Sequence, residues 1–286
     1  MLVGFASINT AEDIEPSRVA HELEDRGYES LWIGEHSHIP VSRQTPYPAG
    51  GEIPKPYLGM MDPYVSLMAA GAASTRLRLA TGVTLLLERD LIATAKEIAT
   101  LDVLSGGRVI VGVGPGWNRE QFENHTDIPW SRRHRALREC VLAMRELWTQ
   151  EKAEFHGEFF DFDPVWSFPK PRQKPAPPVL LGAVGRLGTA HATEWADGWA
   201  PIDIGLGNVE KKLGLFRAAA ERAGRDPNSI EISMFAWGDP DRTTLESYRD
   251  LGIARVVLGA GRTDWDDPTT TLPFLDAYAP LIPDLA

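Results

Sequence analysis

The chain has 286 residues and a single cysteine, Cys140, so no internal disulfide can form. Its helically spaced neighbours Leu137, Val141, Met144 and Trp148 mark Cys140 as a core residue. No apolar run approaches the ~20 residues of a transmembrane helix. Long runs of like charge are also missing. The net charge of −11 is dispersed along the chain, which argues against nucleic acid or an anionic membrane as the main partner. The opening residues, MLVGFASINT, carry no positive leader and enter an apolar alternation at once, so a secretory signal is not expected. These absences together predict a soluble cytoplasmic protein with ample core.

What is present is a repeated strand–helix pattern. Leu77–Leu87 alternates apolar and small residues, and Val109–Val113 is a short apolar run closed by glycines, as expected of strands covered on both faces. Between them Ile92, Ala95, Ile98, Ala99 and Leu101 recur at helical spacing, and Ser105-Gly106-Gly107 supplies the stop. Further strand candidates lie at Leu2–Ile8, Ser30–His36, Arg108–Gly114, Pro178–Val184, Gly198–Ile202, Ile230–Trp237 and Arg255–Gly259. Eight strands alternating with helices predict a (β/α)8 TIM barrel as one domain over residues 1–286. Two insertions take up the surplus length. Ser37–Met61, rich in proline, follows strand two and leaves the C-terminal mouth, where it can cover a site; Gln150–Pro177, before strand five, contains an aromatic hairpin, FHGEFFDFD.

Barrel enzymes carry their chemistry at the C-terminal ends of strands. Here those ends are dominated by glycine, alanine and serine, which leave room for a broad flat ligand, although glycine at any one of them also serves simply to turn strand into helix. Gly112, Gly114 and Gly116 do not form a nicotinamide-binding fingerprint, because Trp117 occupies the place of its third glycine and Pro115 interrupts the turn. Glu35-His36-Ser37-His38 is the richest titratable cluster. With extended geometry His36 and His38 would face one way and Glu35 the other. The same His-x-His pattern opens the ligand set of metal-dependent amidohydrolases, but the later strand ends supply no histidine and no closing aspartate, so no metal is expected. The arginines at 132, 133, 135 and 138 are read as a solvated or subunit-facing side of their helix, and Trp117, Trp130 and Trp166 as candidates for an apolar substrate wall.

Thr81-Gly82-Val83, then Ala95-Lys96, Thr100-Leu101-Asp102, Leu104-Ser105-Gly106-Gly107-Arg108 and Gly112-Val113-Gly114-Pro115-Gly116-Trp117-Asn118, resemble in order the luciferase-like monooxygenase superfamily, most of all its branch that uses the deazaflavin coenzyme F420. The likeness continues through Arg133–Trp148, Phe159–Pro178 and Ala196-Asp197-Gly198-Trp199, about two thirds of the chain. It implies that a tricyclic ring lies in the barrel mouth against a strand-three bulge held by a cis bond at Gly82-Val83. It implies a ring contact from Asn118, though Asn118 also suits a helix cap, cofactor binding by Glu35, the acid before His36, and a phosphate site at Ala183-Val184-Gly185-Arg186, where a helix starts. His36 maps to a catalytic histidine of one branch member; that enzyme's second catalytic carboxylate corresponds here to Pro115, which departs from the pattern and puts its sugar-phosphate substrate in doubt. The resemblance therefore predicts an F420-dependent oxidoreductase, and a homodimer, that moves a hydride between the deazaflavin and a small organic substrate with His36 handling the proton. An FMN-dependent monooxygenase, an amidohydrolase-type barrel and a non-catalytic ligand-binding barrel are the other readings.

Overall fold

Short apolar strands flanked by capped helices give the chain its architecture. In the computed structural model, which describes residues 1–262, 264–265 and 267–286, the strands are β1 (Leu2–Ser7), β2 (Ser30–Ile33), β3 (Arg78–Thr81), β4 (Val109–Val113), β5 (Ala153–His156), β6 (Asp161–Val165), β7 (Val179–Leu181), β8 (Gly198–Trp199), β9 (Glu231–Phe235) and β10 (Arg255–Leu258). The helices are α1 (Pro16–Asp25), α2 (Pro63–Ala72), α3 (Leu91–Leu104), α4 (Arg119–His125), α5 (Arg133–Thr149), α6 (Gly185–Glu194), α7 (Val209–Arg222), α8 (Arg242–Asp250), α9 (Pro268–Tyr278) and α10 (Ile282–Leu285). Eight strands close in the order β1-β10-β9-β8-β7-β4-β3-β2, every neighbouring pair parallel. This is the (β/α)8 barrel that the strand–helix alternation predicts. β5 and β6 stand outside it as an antiparallel hairpin, held to α5 where Glu139 accepts from the backbone N–H of Phe160 at 2.8 Å.

Local signals set the helix ends. Asp62, Asp90, Asn118, Asn208, Asp241 and Asp267 each accept backbone N–H bonds as N-caps. At the far end of α3, Gly106 and Gly107 take φ of 77° and 90°, and the Gly107 N–H reaches back to the Asp102 carbonyl at 2.8 Å, the stop expected of Ser105-Gly106-Gly107.

Alternation along each strand divides the core in two. Outward side chains such as Val3, Phe5, Leu79 and Val111 pack under the helices, where Cys140 is fully buried. Inward side chains fill the barrel itself: Ala6, Trp32, Ala80, Ile110, Leu180, Ala200, Phe235 and Val257, one contributed near each strand. Trp32 and Phe235 meet edge to face at 5.3 Å, and the three alanines in the layer make room for them. Below this layer, Arg255 is buried and bonds Glu29, Glu231 and Ser233, closing the N-terminal end. The layer is the floor of the site above it.

Several strands are shorter than the apolar runs imply. β3 ends at Thr81 rather than Leu87; beyond it the chain turns through a 3-10 turn at Leu86–Glu88, because Glu35, Tyr64 and Gly112 take up its polar groups. β2 likewise stops at Ile33, and Gly34–His36 leave the strand geometry before the cluster of histidines is reached.

Candidate functional site

At the C-terminal mouth lies a cavity of about 410 Å³, within the range of small-molecule and cofactor pockets. All eight barrel strands reach it with their C-terminal ends, from Ser7 at the end of β1 to Ala260 after β10. The proline-rich insertion after β2 contributes Pro48, Tyr57 and Met60, so it covers the mouth as its position in the sequence predicts. It is fastened at two points. Met61 donates its N–H to the Asn9 carbonyl at 2.8 Å, and Glu120 at the start of α4 accepts from the N–H of Gln44 and from the hydroxyl of Thr45, which holds its carboxyl down near 2.

Gly82 and Val83 line the cavity, joined by a cis bond as expected for the strand-three bulge. The glycines opposite them have a further purpose beside the one expected. A Cβ on Gly114 would lie 2.6 Å from one Val83 methyl, and a Cβ on Gly182 2.5 Å from the other. These two glycines line the cavity and seat the Val83 side chain.

His36 stands on the wall with both ring nitrogens engaged. Nδ1 lies 2.6 Å from Gln121 Oε1, and Nε2 accepts from the Trp117 indole N–H at 3.2 Å. Burial lowers its pKa below the ordinary histidine value, against smaller upward effects of the Gln121 bond and of Glu35. His36 and His38 do not share a partner set: His38 bonds Ser37 and Asn124 and packs beside His125, so the arrangement inferred from an extended strand fails where β2 ends. Glu35, expected to bind the cofactor, lines the cavity but spends both oxygens on protein. One accepts from the Thr84 hydroxyl and the Leu85 N–H, the other from Arg89, which also pairs with Asp62 and Glu97.

Asn118 caps α4 through an Oδ1 bond to the Gln121 N–H at 3.3 Å and is buried beyond the cavity wall, with Nδ2 unpaired among the described residues. Of the expected phosphate site, Ala183 and Val184 line the cavity, Gly185 takes φ of 83° to start α6, and Arg186 is exposed and off the wall. Arg133 corrects the reading of its helix face: it lines the cavity, its guanidinium lies 3.8 Å over the Trp130 ring and its buried Nε has no partner among the described residues. His134 lines the same wall, its pKa pushed down to about 4 by burial and by the neighbouring Arg133 and His191. Trp117 belongs to the wall, whereas Trp166 is 71% exposed far from it. Sequence reading also missed Glu88 and Gln121, which are buried behind His36; Gln121 Nε2 donates to Glu88 Oε2 at 2.6 Å. Only the helical offset of Gln121 from the Asn118 cap hinted that it turns inward. Among the described residues no group of three or more His, Cys, Asp or Glu could hold a metal ion.

The chain thus presents a parallel (β/α)8 barrel with its pocket at the strand ends, walled by a strand-three bulge and a strand-two histidine. Residues 14–253 match the family model for luciferase-like monooxygenases, and the chain belongs to that family. An uncharacterised protein of Mycobacterium tuberculosis is 41% identical over 276 residues, covering 93% of this chain and 94% of that one. The F420-dependent hydroxymycolic acid dehydrogenase of the same organism is 33% identical over 204 residues, 70% of this chain and 55% of its own length. The FMNH2-dependent dimethylsulfone monooxygenase of Pseudomonas putida is 31% identical over 169 residues, 58% and 45% of the two chains. The solved structure of an F420-dependent secondary alcohol dehydrogenase carrying an F420–acetone adduct shares the fold, with a TM-score of 0.73 at 19% identity over 100% of this chain and 99% of that one.

Proposed function

We propose that this chain is an F420-dependent oxidoreductase acting on a small organic substrate of apolar character. The observation that carries the reading is His36 on the cavity wall, facing Trp117 with Nε2 and backed by buried Gln121 at Nδ1. The cavity suits a flat phosphorylated ring. Tyr57, Trp117, Phe235 and Trp237 give it apolar faces, while the positive charge of Arg133 on the wall and the start of α6 beside Val184 suit an anionic group. When bound, the deazaflavin supplies or accepts the hydride. The protein's part is to hold the substrate against Trp117 and Tyr57, to exclude water with the insertion over the mouth, and to take up or release a proton at His36 Nε2. Pro115 puts no carboxylate on the wall, so no second acid stands at the end of β4.

An FMN-dependent monooxygenase is the second reading, favoured by the likeness to the dimethylsulfone enzyme. We further read residues 1–286 as one domain of a cytoplasmic homodimer. Among the described residues no helix is long and apolar enough to cross a membrane, and exposed Val65 and Leu104, beside a groove between α2 and α3, support a subunit contact there. Equilibrium dialysis against F420 and FMN side by side tests the coenzyme. Binding of F420 at micromolar or tighter Kd with FMN much weaker is expected; the reverse ranking, with oxygen consumed in turnover, would transfer the chain to the monooxygenases.

A further inference from the structure

Behind His36 lies a hydrogen-bonded line of side chains that makes no contact with the cavity. Glu88 and Gln121 are buried, 33 residues apart in sequence, and meet because the 3-10 turn after β3 packs against α4. The Asn118 cap sets the first turn of α4 and thereby aims Gln121 inward. Gln121 Nε2 then lies 2.6 Å from Glu88 Oε2, and Gln121 Oε1 lies 2.6 Å from His36 Nδ1.

We propose that Gln121, oriented by Glu88, is a positioning residue that fixes His36 in the tautomer with its proton on Nδ1. Above its pKa of about 7 Glu88 is a carboxylate that only accepts, so the amide must turn its NH2 group toward it. Its carbonyl is then the group presented to His36, and a carbonyl only accepts, so Nδ1 must carry the hydrogen. The lone pair is left on Nε2. At that atom the partner is the Trp117 indole N–H, which only donates, so the arrangement agrees at both ends. A neutral histidine free in water favours the opposite tautomer, and the line from Glu88 overrides that preference and leaves the lone pair at Nε2, beside Trp117 on the cavity wall. The inference rests on His36 being the proton-handling group, but the tautomer itself is independent of coenzyme and substrate.

The test is 15N NMR on coenzyme-free protein labelled at histidine, read at about pH 8.5, where His36 is neutral and Glu88 is ionised. Wild type should show His36 protonated at Nδ1, with Nε2 carrying the chemical shift of an unprotonated nitrogen. Gln121→Met keeps the volume and removes the carbonyl, and should shift His36 to a mixture with Nε2–H; Gln121→Glu restores an acceptor and should restore the Nδ1–H form. Should Gln121→Met fail to fold, Glu88→Gln frees the amide to rotate and should give the same mixture. An Nε2–H wild type, or an unchanged tautomer in either Gln121→Met or Glu88→Gln, would overturn the proposal. Where substrate is in hand, Gln121→Met should lower kcat about tenfold with KM little changed. If instead the tautomer responds as described while His36→Ala retains full turnover, the positioning stands and the catalytic role of His36 falls.

Discussion

Replacing Gly182 with alanine tests how the mouth is built. Its backbone sits in a region open to any residue, so the cost is purely one of space: the new Cβ would lie 2.5 Å from Val83 Cγ1, about an ångström inside ordinary contact. Overpacking of this kind costs roughly 1–3 kcal/mol, which for a chain of this size lowers Tm by roughly 2–5 °C. Val83→Ala alone removes methyls that partly line the cavity and should cost about 1 kcal/mol. In that background the clash is gone. The nearest remaining neighbours of a Cβ at position 182 are the carbonyl oxygens of Val113 at 3.5 Å and Ala200 at 3.7 Å, both ordinary contacts. Gly182→Ala should then be nearly free, and the double-mutant cycle should return a favourable coupling of about 1–3 kcal/mol. Urea unfolding midpoints of the four proteins measure it. If Gly182→Ala costs the same with valine or alanine at position 83, the glycine is not there to seat that side chain.

His36→Ala should lower turnover by about 10²–10⁴-fold while coenzyme affinity stays nearly constant, read by steady-state kinetics beside a binding titration. Arg255→Met leaves Glu29 and Glu231 without their buried partner at the closed end of the barrel, and should cost about 3 kcal/mol in chemical denaturation without altering ligand affinity in the folded protein. Burial first, and the nearby Glu35 carboxylate after it, raise Glu88 to about 7 despite its bond to Gln121. Its protonated form is therefore favoured by folding, and the stability it contributes is present below the unfolded pKa and is lost as pH rises through about 7. Glu88→Gln should accordingly gain on wild type at pH 8 and lose that advantage at pH 5, and equal differences at both pH values would rule the titration out. Leu104→Glu should shift the protein toward monomer in light scattering if α2 and α3 form the subunit contact.

The strand–helix alternation, the glycine stop at 105–107 and the small residues at strand ends are properties of neighbouring positions, so they are legible in the sequence. The barrel, the proline-rich cover and the place of His36 at the end of the second strand follow from them. The chain's likeness to luciferase-like proteins located the bulge at Gly82-Val83 as well. Alternation alone could not locate the end of β3, because Val83 and Leu85–Leu87 remain apolar while Glu35 and Tyr64 draw Thr84 and Leu85 out of strand geometry. Nor could it assign Gly114 and Gly182 to Val83, bring Arg133 to the cavity, or join Glu88 to Gln121 behind His36. Those relations link side chains on different strands and helices, and their distances exist only once the barrel has closed.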